Sequence, residues 1–164
     1  MKSSKELVSQ LMSTPIVSVE PTMLVGEVLR LAEDLRIHHF PIVDGEGLFG
    51  IVCTCDLKGA RPEQAVSQFA HRDTVTVTPR NTVGEAAARM MAHGVGSVVV
   101  VDEEGVWGIL TREDLAETAP GLMPKTRCAV CSTRKHLHRG LSGPYPCTAC
   151  EARARADVVQ LSAE

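Results

Sequence analysis

A chain of 164 residues has room for one compact domain and an appendage, but not for two large domains. Its 44% hydrophobic and 23% charged residues are those of a soluble globular protein, and with one Trp, one Tyr and three Phe the core must be built from Val, Leu, Ile, Ala and Met. The net charge of −3 is divided unevenly: residues 1–115 carry 10 basic and 16 acidic side chains, residues 116–164 carry 7 and 4, which argues against nucleic acid as a partner of the first part and leaves only the tail to be considered for it.

In chain order, the amino terminus MKSSKELVSQLMS lacks an apolar segment of signal-peptide length, and no run approaches a membrane span. A cytoplasmic location with no membrane partner is expected, where six reduced cysteines read as metal ligands or packing before disulfides. KELVSQLM predicts a short helix leading into a strand at IVSV, which stops at Pro21. Val25, Val28, Leu29, Ala32 and Leu35 then share one face of a helix. FPIVD and LFGIV are strands around the turn GEG, and Asp56 stands where a last helix begins.

The same grammar then starts again. PEQAVSQFA precedes TVTV, which ends at Pro79; Thr82 and Glu85 make a capping box; SVVVVD and VWGIL flank EEG; and Asp114 takes the place of Asp56. Shifted by 58 residues, 5–57 aligns with 63–115 without a gap, with 17 identities in 53 positions. Two copies of one supersecondary unit account for this. A β-α-β-β-α unit of such length cannot cover both faces of its sheet alone, so the two copies are expected to pack about a pseudo-twofold axis.

The stretches IHHFPIVDGEGLFGIVCTCDL and GVGSVVVVDEEGVWGILTREDL resemble a tandem pair of cystathionine-β-synthase (CBS) domains, a Bateman module, and the resemblance spans about residues 1–118. It implies two symmetry-related clefts for adenosyl compounds such as AMP, ADP, ATP or S-adenosylmethionine, built on a Gly-x-x-Thr/Ser-x-x-Asp pattern, and a homodimer through the CBS repeats. In that pattern glycine lets backbone approach the ligand, the hydroxyl and helix-start N–H groups hold phosphate, and the carboxylate accepts the ribose hydroxyls. The second copy carries Gly108, Thr111 and Asp114, with Arg112 placed to add charge near phosphate, and with Thr76 and Gly94, Val95, Gly96 and Ser97 expected to border the base. The first copy keeps Gly50 and Asp56 but has Cys53 where Thr is expected. Thr54, one position along, is expected on the opposite face of a strand. His38 and His39 lie where the family often places basic residues. Because Cys53 aligns with Thr111 and Cys55 with Glu113, GIVCTCDL reads as half of an altered or empty ligand cleft and not as a metal knuckle. The plainer alternative is that Asp56 and Asp114 are helix N-caps.

After the linker AETAPGLMPKT come CAVC and CTAC, fifteen residues apart. Cys128, Cys131, Cys147 and Cys150 have the spacing of a tetrahedral Zn²⁺ site, and the segment between them has no apolar core of its own. The tail resembles a zinc ribbon or treble-clef-like finger followed by a helix at EARARADVVQL. Iron in a rubredoxin-like centre is the alternative, with Ser132 and Glu151 in place of the usual knuckle glycines counting against it. Four thiolates and Zn²⁺ subtract two charges from the tail, a weak footprint for phosphate, so protein docking or a structural role is expected of the finger before nucleic-acid binding.

The fold class expected is α+β: CBS repeats over 5–61 and 62–118 in pseudo-twofold packing, a linker over 119–126, and a small zinc-binding domain over 127–164. No nucleophile–base pair or pair of catalytic carboxylates is present, and a closed four-thiolate site has no position for a catalytic water, so no enzymatic activity is expected. The expected function is a regulator sensing an adenosyl ligand, with the finger docking a protein partner. The alternatives are a zinc-finger nucleic-acid-binding regulator dimerised by the CBS pair, and a structural adaptor with empty clefts.

Overall fold

The computed structural model describes residues 4–119 and residue 122. Helix α1 (Val25–Leu35) precedes the hairpin of β1 (His39–Asp44) and β2 (Gly47–Cys53). A second set follows: β3 (Thr76–Val77), α2 (Val83–His93), the hairpin of β4 (Ser97–Asp102) and β5 (Gly105–Thr111), and α3 (Arg112–Thr118). Both hairpins are antiparallel and share one register: His39 faces Cys53 and Ser97 faces Thr111, with a bulge between Ile42 and Val43 and another between Val100 and Val101. The sequence repeat is thus a structural repeat down to its irregularities.

Several expected elements come out shorter. KELVSQLM and PEQAVSQFA form only 3₁₀ turns at Val8–Gln10 and Val66–Phe69. TVTV gives the two-residue β3, parallel to β4, and IVSV gives a single bridge between Val19 and Ile42. On α1, Val25, Val28 and Ala32 are buried, while Leu29 and Leu35 are 37% and 48% exposed, so the inward face is narrower than the apolar stripe. The capping box of α2 is present: Glu85 N–H donates to Thr82 Oγ1 at 3.2 Å, and Thr82 N–H donates to Glu85 Oε2 at 2.7 Å.

The short leading turns matter because they cross over. Val8 is fully buried with Val77, Val83, Val98 and Leu110 of the second copy, and Val66 is fully buried with Val19, Val25, Phe40 and Val52 of the first. Backbone bridges secure both crossings, Leu7 to Thr82 and Leu24 to Ala65. Each core is therefore completed by a valine from the other repeat, which fixes the two units against each other. Burial of one such side chain stabilises by about 1.5–3 kcal/mol.

Candidate functional site

The clefts arise where the segment after each leading turn reaches the opposite hairpin. Ser13 exchanges two backbone hydrogen bonds with Ile109, at 2.9 and 3.3 Å, and His71 does the same with Ile51, at 2.8 and 3.1 Å. Gly108 and Gly50 allow these approaches. A Cβ on Gly108 would stand 2.7 Å from the Ser13 carbonyl oxygen, and one on Gly50 would stand 2.8 Å from that of His71. The space expected to admit a ligand beside these glycines is filled by the chain's own backbone.

Beyond the Ser13–Ile109 pairing lies an open cleft of about 200 Å³. Its walls are Ser13 and Pro15–Val17, then Arg36–His39 after α1, and Ile109, Thr111, Glu113 and Asp114 at the start of α3. Thr111 is the N-cap of α3 and Asp114 its reciprocal partner. Thr111 N–H and Oγ1 both donate to Asp114 Oδ2 at 2.7 Å, and Asp114 N–H donates to Thr111 Oγ1 at 3.3 Å. The capping role of the aspartate is real, but the residue that starts the helix is threonine. A carboxylate offers about four lone-pair sites, so capping does not exhaust Asp114. Arg36 holds the left-handed C-cap of α1, φ 55°, a conformation uncommon for a side chain other than Gly, Asn or Asp.

The remaining expected residues are distributed otherwise. Gly94, Val95, Gly96 and Ser97 are the counterparts of Arg36–His39 and do not line this cleft. Instead Gly96 and Val95 offer carbonyls to Arg112, from its N–H at 2.8 Å and its Nη2 at 3.4 Å, which ties the guanidinium down beside them. Ser97 is buried next to Thr111 in the hairpin. Thr76 lies on β3 and receives Arg89 Nη1 on its carbonyl at 2.7 Å, away from the cleft wall. Thr54 repeats the position of Arg112: its N–H donates to His38 O at 2.9 Å, and its hydroxyl lies 3.4 Å from His38 Nδ1.

The other end of the pair differs in chemistry. Cys53 N–H donates to Asp56 Oδ2 at 2.9 Å, as Thr111 N–H does to Asp114, yet residues 54–59 form turns and no helix. A thiol is a poor cap, and Gly59 (φ 84°) and Pro62 close the segment. Cys55 N–H donates to Cys53 Sγ at 3.4 Å, Cys55 Sγ lies 3.9 Å from Asp56 Oδ1, and His71 Nε2 lies 3.2 Å from Asp56 Oδ2. Hydrogen bonding from the Cys55 thiol, with His39 adding to it against the effect of burial, holds Cys53 well below the ordinary thiol range. The Cys55 thiol is pushed up by that same bond and by burial. Burial alone would lower the His39 pKa, but its bond to Cys53 and the charges of Cys53, Glu113 and Asp56 outweigh it, and His39 is raised. His39 therefore stands between the two ends of the pair.

Cys128, Cys131, Cys147 and Cys150 lie outside the described residues. Among the described residues no helix is long and apolar enough to cross a membrane.

With this geometry in place, comparison with known proteins assigns the class. The CBS domain family model matches residues 8–63 and 66–121, and the chain belongs to that family. The CBS domain pair of protein MJ0100, solved with 5′-methylthioadenosine and S-adenosyl-L-methionine, superposes with a TM-score of 0.65 at 27% identity, over 70% of this chain and 96% of that one. The cytosolic domain of the Mg²⁺ channel MgtE, solved with ATP, superposes with a TM-score of 0.62 at 30% identity, over 69% of this chain and 48% of that one. The L-aspartate semialdehyde sulfurtransferase of Methanocaldococcus jannaschii is 29% identical over 125 residues, 74% of this chain but only 25% of the enzyme, so the likeness concerns one part of a longer protein.

Sequence reasoning passed over three polar contributors to the cleft, Ser13, Arg36 and Glu113. Arg36 had a usable signal. The repeat aligns it with Gly94, the left-handed C-cap of α2, so an arginine occupies a position suited to glycine. Ser13 gave no signal, because its role depends on the crossover.

Proposed function

We propose that the chain is a non-enzymatic regulatory protein that senses an adenosyl ligand in the cleft built on Thr111 and Asp114. The observation that carries this reading is the placing of a ribose-competent carboxylate, Asp114, at a helix start directly across from Arg36, His38 and His39. The binding of methylthioadenosine and S-adenosylmethionine by the MJ0100 pair, and of ATP by MgtE, supports the ligand class.

Charge narrows the class. The cleft wall carries two carboxylates, Glu113 and Asp114, against one guanidinium, Arg36, and the imidazoles of His38 and His39, with no large excess of positive charge. That balance favours an adenosyl compound of low or zwitterionic charge, such as S-adenosylmethionine or methylthioadenosine, over a triphosphate. The cleft volume of about 200 Å³ is below the roughly 300–1,000 Å³ of pockets that engulf a whole ligand. It suits a nucleoside, with the remainder of the ligand in the open mouth near Arg36.

Because the cleft is walled by both repeats, a ligand that prefers one packing of Val8 and Val66 in their opposite cores biases the pair toward it. Exposed Leu29, Leu35 and Met91 on the two long helices supply apolar area for a homodimer. The four-cysteine tail is read as a structural zinc finger that presents this state to a protein partner. A thermal-shift panel of adenosyl compounds on the wild type and Asp114→Ala tests the ligand reading.

A further inference from the structure

The end of the pair at Cys53 is a different kind of site from the one at Thr111. Five positions surround each, related by the repeat offset of 58 residues: Cys53 and Thr111, Cys55 and Glu113, Asp56 and Asp114, His71 and Ser13, His39 and Ser97. Four of the five differ, and every difference puts a thiol or an imidazole where the other copy has a hydroxyl or a carboxylate. Random drift of a vacated ligand cleft has no reason to select sulfur and nitrogen donors at four neighbouring positions. The anchoring bonds beneath them are shared even though residues 54–59 turn where 112–118 are helical: Cys53 and Thr111 make the same bond to their aspartates, and His71 and Ser13 the same paired bonds to their hairpins.

The donors also converge. One ligand atom each from Cys53, Cys55 and Asp56 all lie within 4.8 Å of one another, and none of the three side chains is fully exposed. A tetrahedral zinc site with Zn–S near 2.3 Å places its ligands about 3.3–3.8 Å apart, so small side-chain rotations close the set. His71 Nε2, 3.2 Å from Asp56 Oδ2, is already at such a spacing from one of them. Its backbone is pinned to Ile51, while its side chain is 64% exposed and has room to turn. We propose that Cys53, Cys55, Asp56 and His71 form a binding site for a thiophilic divalent cation of the zinc class, with His39, the register partner of Cys53 across the hairpin, as an outer positioning residue. Two thiolates, an imidazole and a carboxylate suit Zn²⁺ over Mg²⁺ or Ca²⁺, which take oxygen ligands. None of the site's four ligands lines the adenosyl cleft, and only His39 borders both.

The tail cysteines would mask such a site, so the test removes them within the full chain. The reduced Cys128→Ser/Cys131→Ser/Cys147→Ser/Cys150→Ser protein is loaded with Zn²⁺ alone, desalted and analysed for metal, and then loaded with Co²⁺ for its thiolate charge-transfer absorption. One retained equivalent of zinc and a thiolate–cobalt band are expected. Both are lost on adding Cys53→Thr and Cys55→Glu, the residues that the second copy carries at these positions. His39→Ser, which leaves all four ligands in place, lowers zinc affinity by about 10–100-fold. Asp114→Ala leaves the metal content unchanged, which separates this site from the ligand reading. If the tail-substituted chain melts cooperatively yet holds no zinc, or if zinc survives Cys53→Thr/Cys55→Glu, the proposal is overturned.

Discussion

The carbonyl oxygen of Ser13 approaches Gly108 so closely that a Cβ there would stand 2.7 Å from it, so the entry of the first repeat's chain into the second repeat's hairpin requires glycine at position 108. Gly108→Ala must push the Ser13–Ile109 pairing apart, at a cost of about 1–3 kcal/mol. Gly50→Ala meets the His71 carbonyl at 2.8 Å and is expected to cost as much. Gly45→Ala, with nothing within 4 Å, is the control and is expected to change little. Chemical denaturation of the three variants measures this. Equal stability of Gly108→Ala and Gly45→Ala would remove the crossover from the account.

Arg36 gives an opposed pair of readouts. Its left-handed backbone costs about 1–2 kcal/mol in an L-residue, and the extra freedom that glycine gives the unfolded chain takes back about 0.4–1 kcal/mol. Arg36→Gly is therefore expected to raise stability by between about 0 and 1.6 kcal/mol while weakening an anionic or zwitterionic adenosyl ligand at the cleft mouth. Melting with and without ligand reads both effects. A variant that melts higher and binds unchanged would take Arg36 out of the cleft's chemistry.

Glu85 supplies the pH dependence. Its bond from the Thr82 backbone, and then those with the Asn81 and Thr82 side chains, hold its carboxyl below the usual carboxylate pKa. A group lowered on folding stabilises the native state fully above its unfolded pKa, near 4.3, and that contribution disappears as pH falls through the lower folded value. Glu85→Gln is expected to melt below the wild type at neutral pH, with the gap narrowing as the pH falls below about 4.3. A gap that stays constant over this range would mean that the carboxylate charge contributes nothing to the cap.

The hairpins, the two long helices and the capping box at Thr82 were legible in the sequence because each rests on local chemistry: alternating apolar residues, a turn, or a cap three residues before its partner. The crossover was not legible. Val8 and Val66 sit in identical VSQ segments, and nothing local says that each is buried in the other repeat's core. For the same reason the motif residues Thr111 and Asp114 do line one cleft, while the facing wall, expected at Thr76 and Gly94–Ser97, consists of Ser13, Pro15–Val17 and Arg36–His39. The repeat alone placed the cysteines of GIVCTCDL in a cleft and argued against a metal knuckle; their convergence with Asp56 and the nearness of His71, on which the metal-site proposal rests against that reading, needed coordinates.

The central claim, an adenosyl ligand held by Asp114, is tested most directly by the melting temperature of wild type and Asp114→Ala against S-adenosylmethionine, methylthioadenosine, AMP and ATP. Ligand at a hundredfold excess over Kd adds about 2.7 kcal/mol to the stability of the native state, a shift of several degrees. The account predicts this shift for the wild type, larger for S-adenosylmethionine or methylthioadenosine than for ATP, and its loss in Asp114→Ala. A wild type whose melting no adenosyl compound moves, or an Asp114→Ala variant that shifts as far as the wild type, would contradict it.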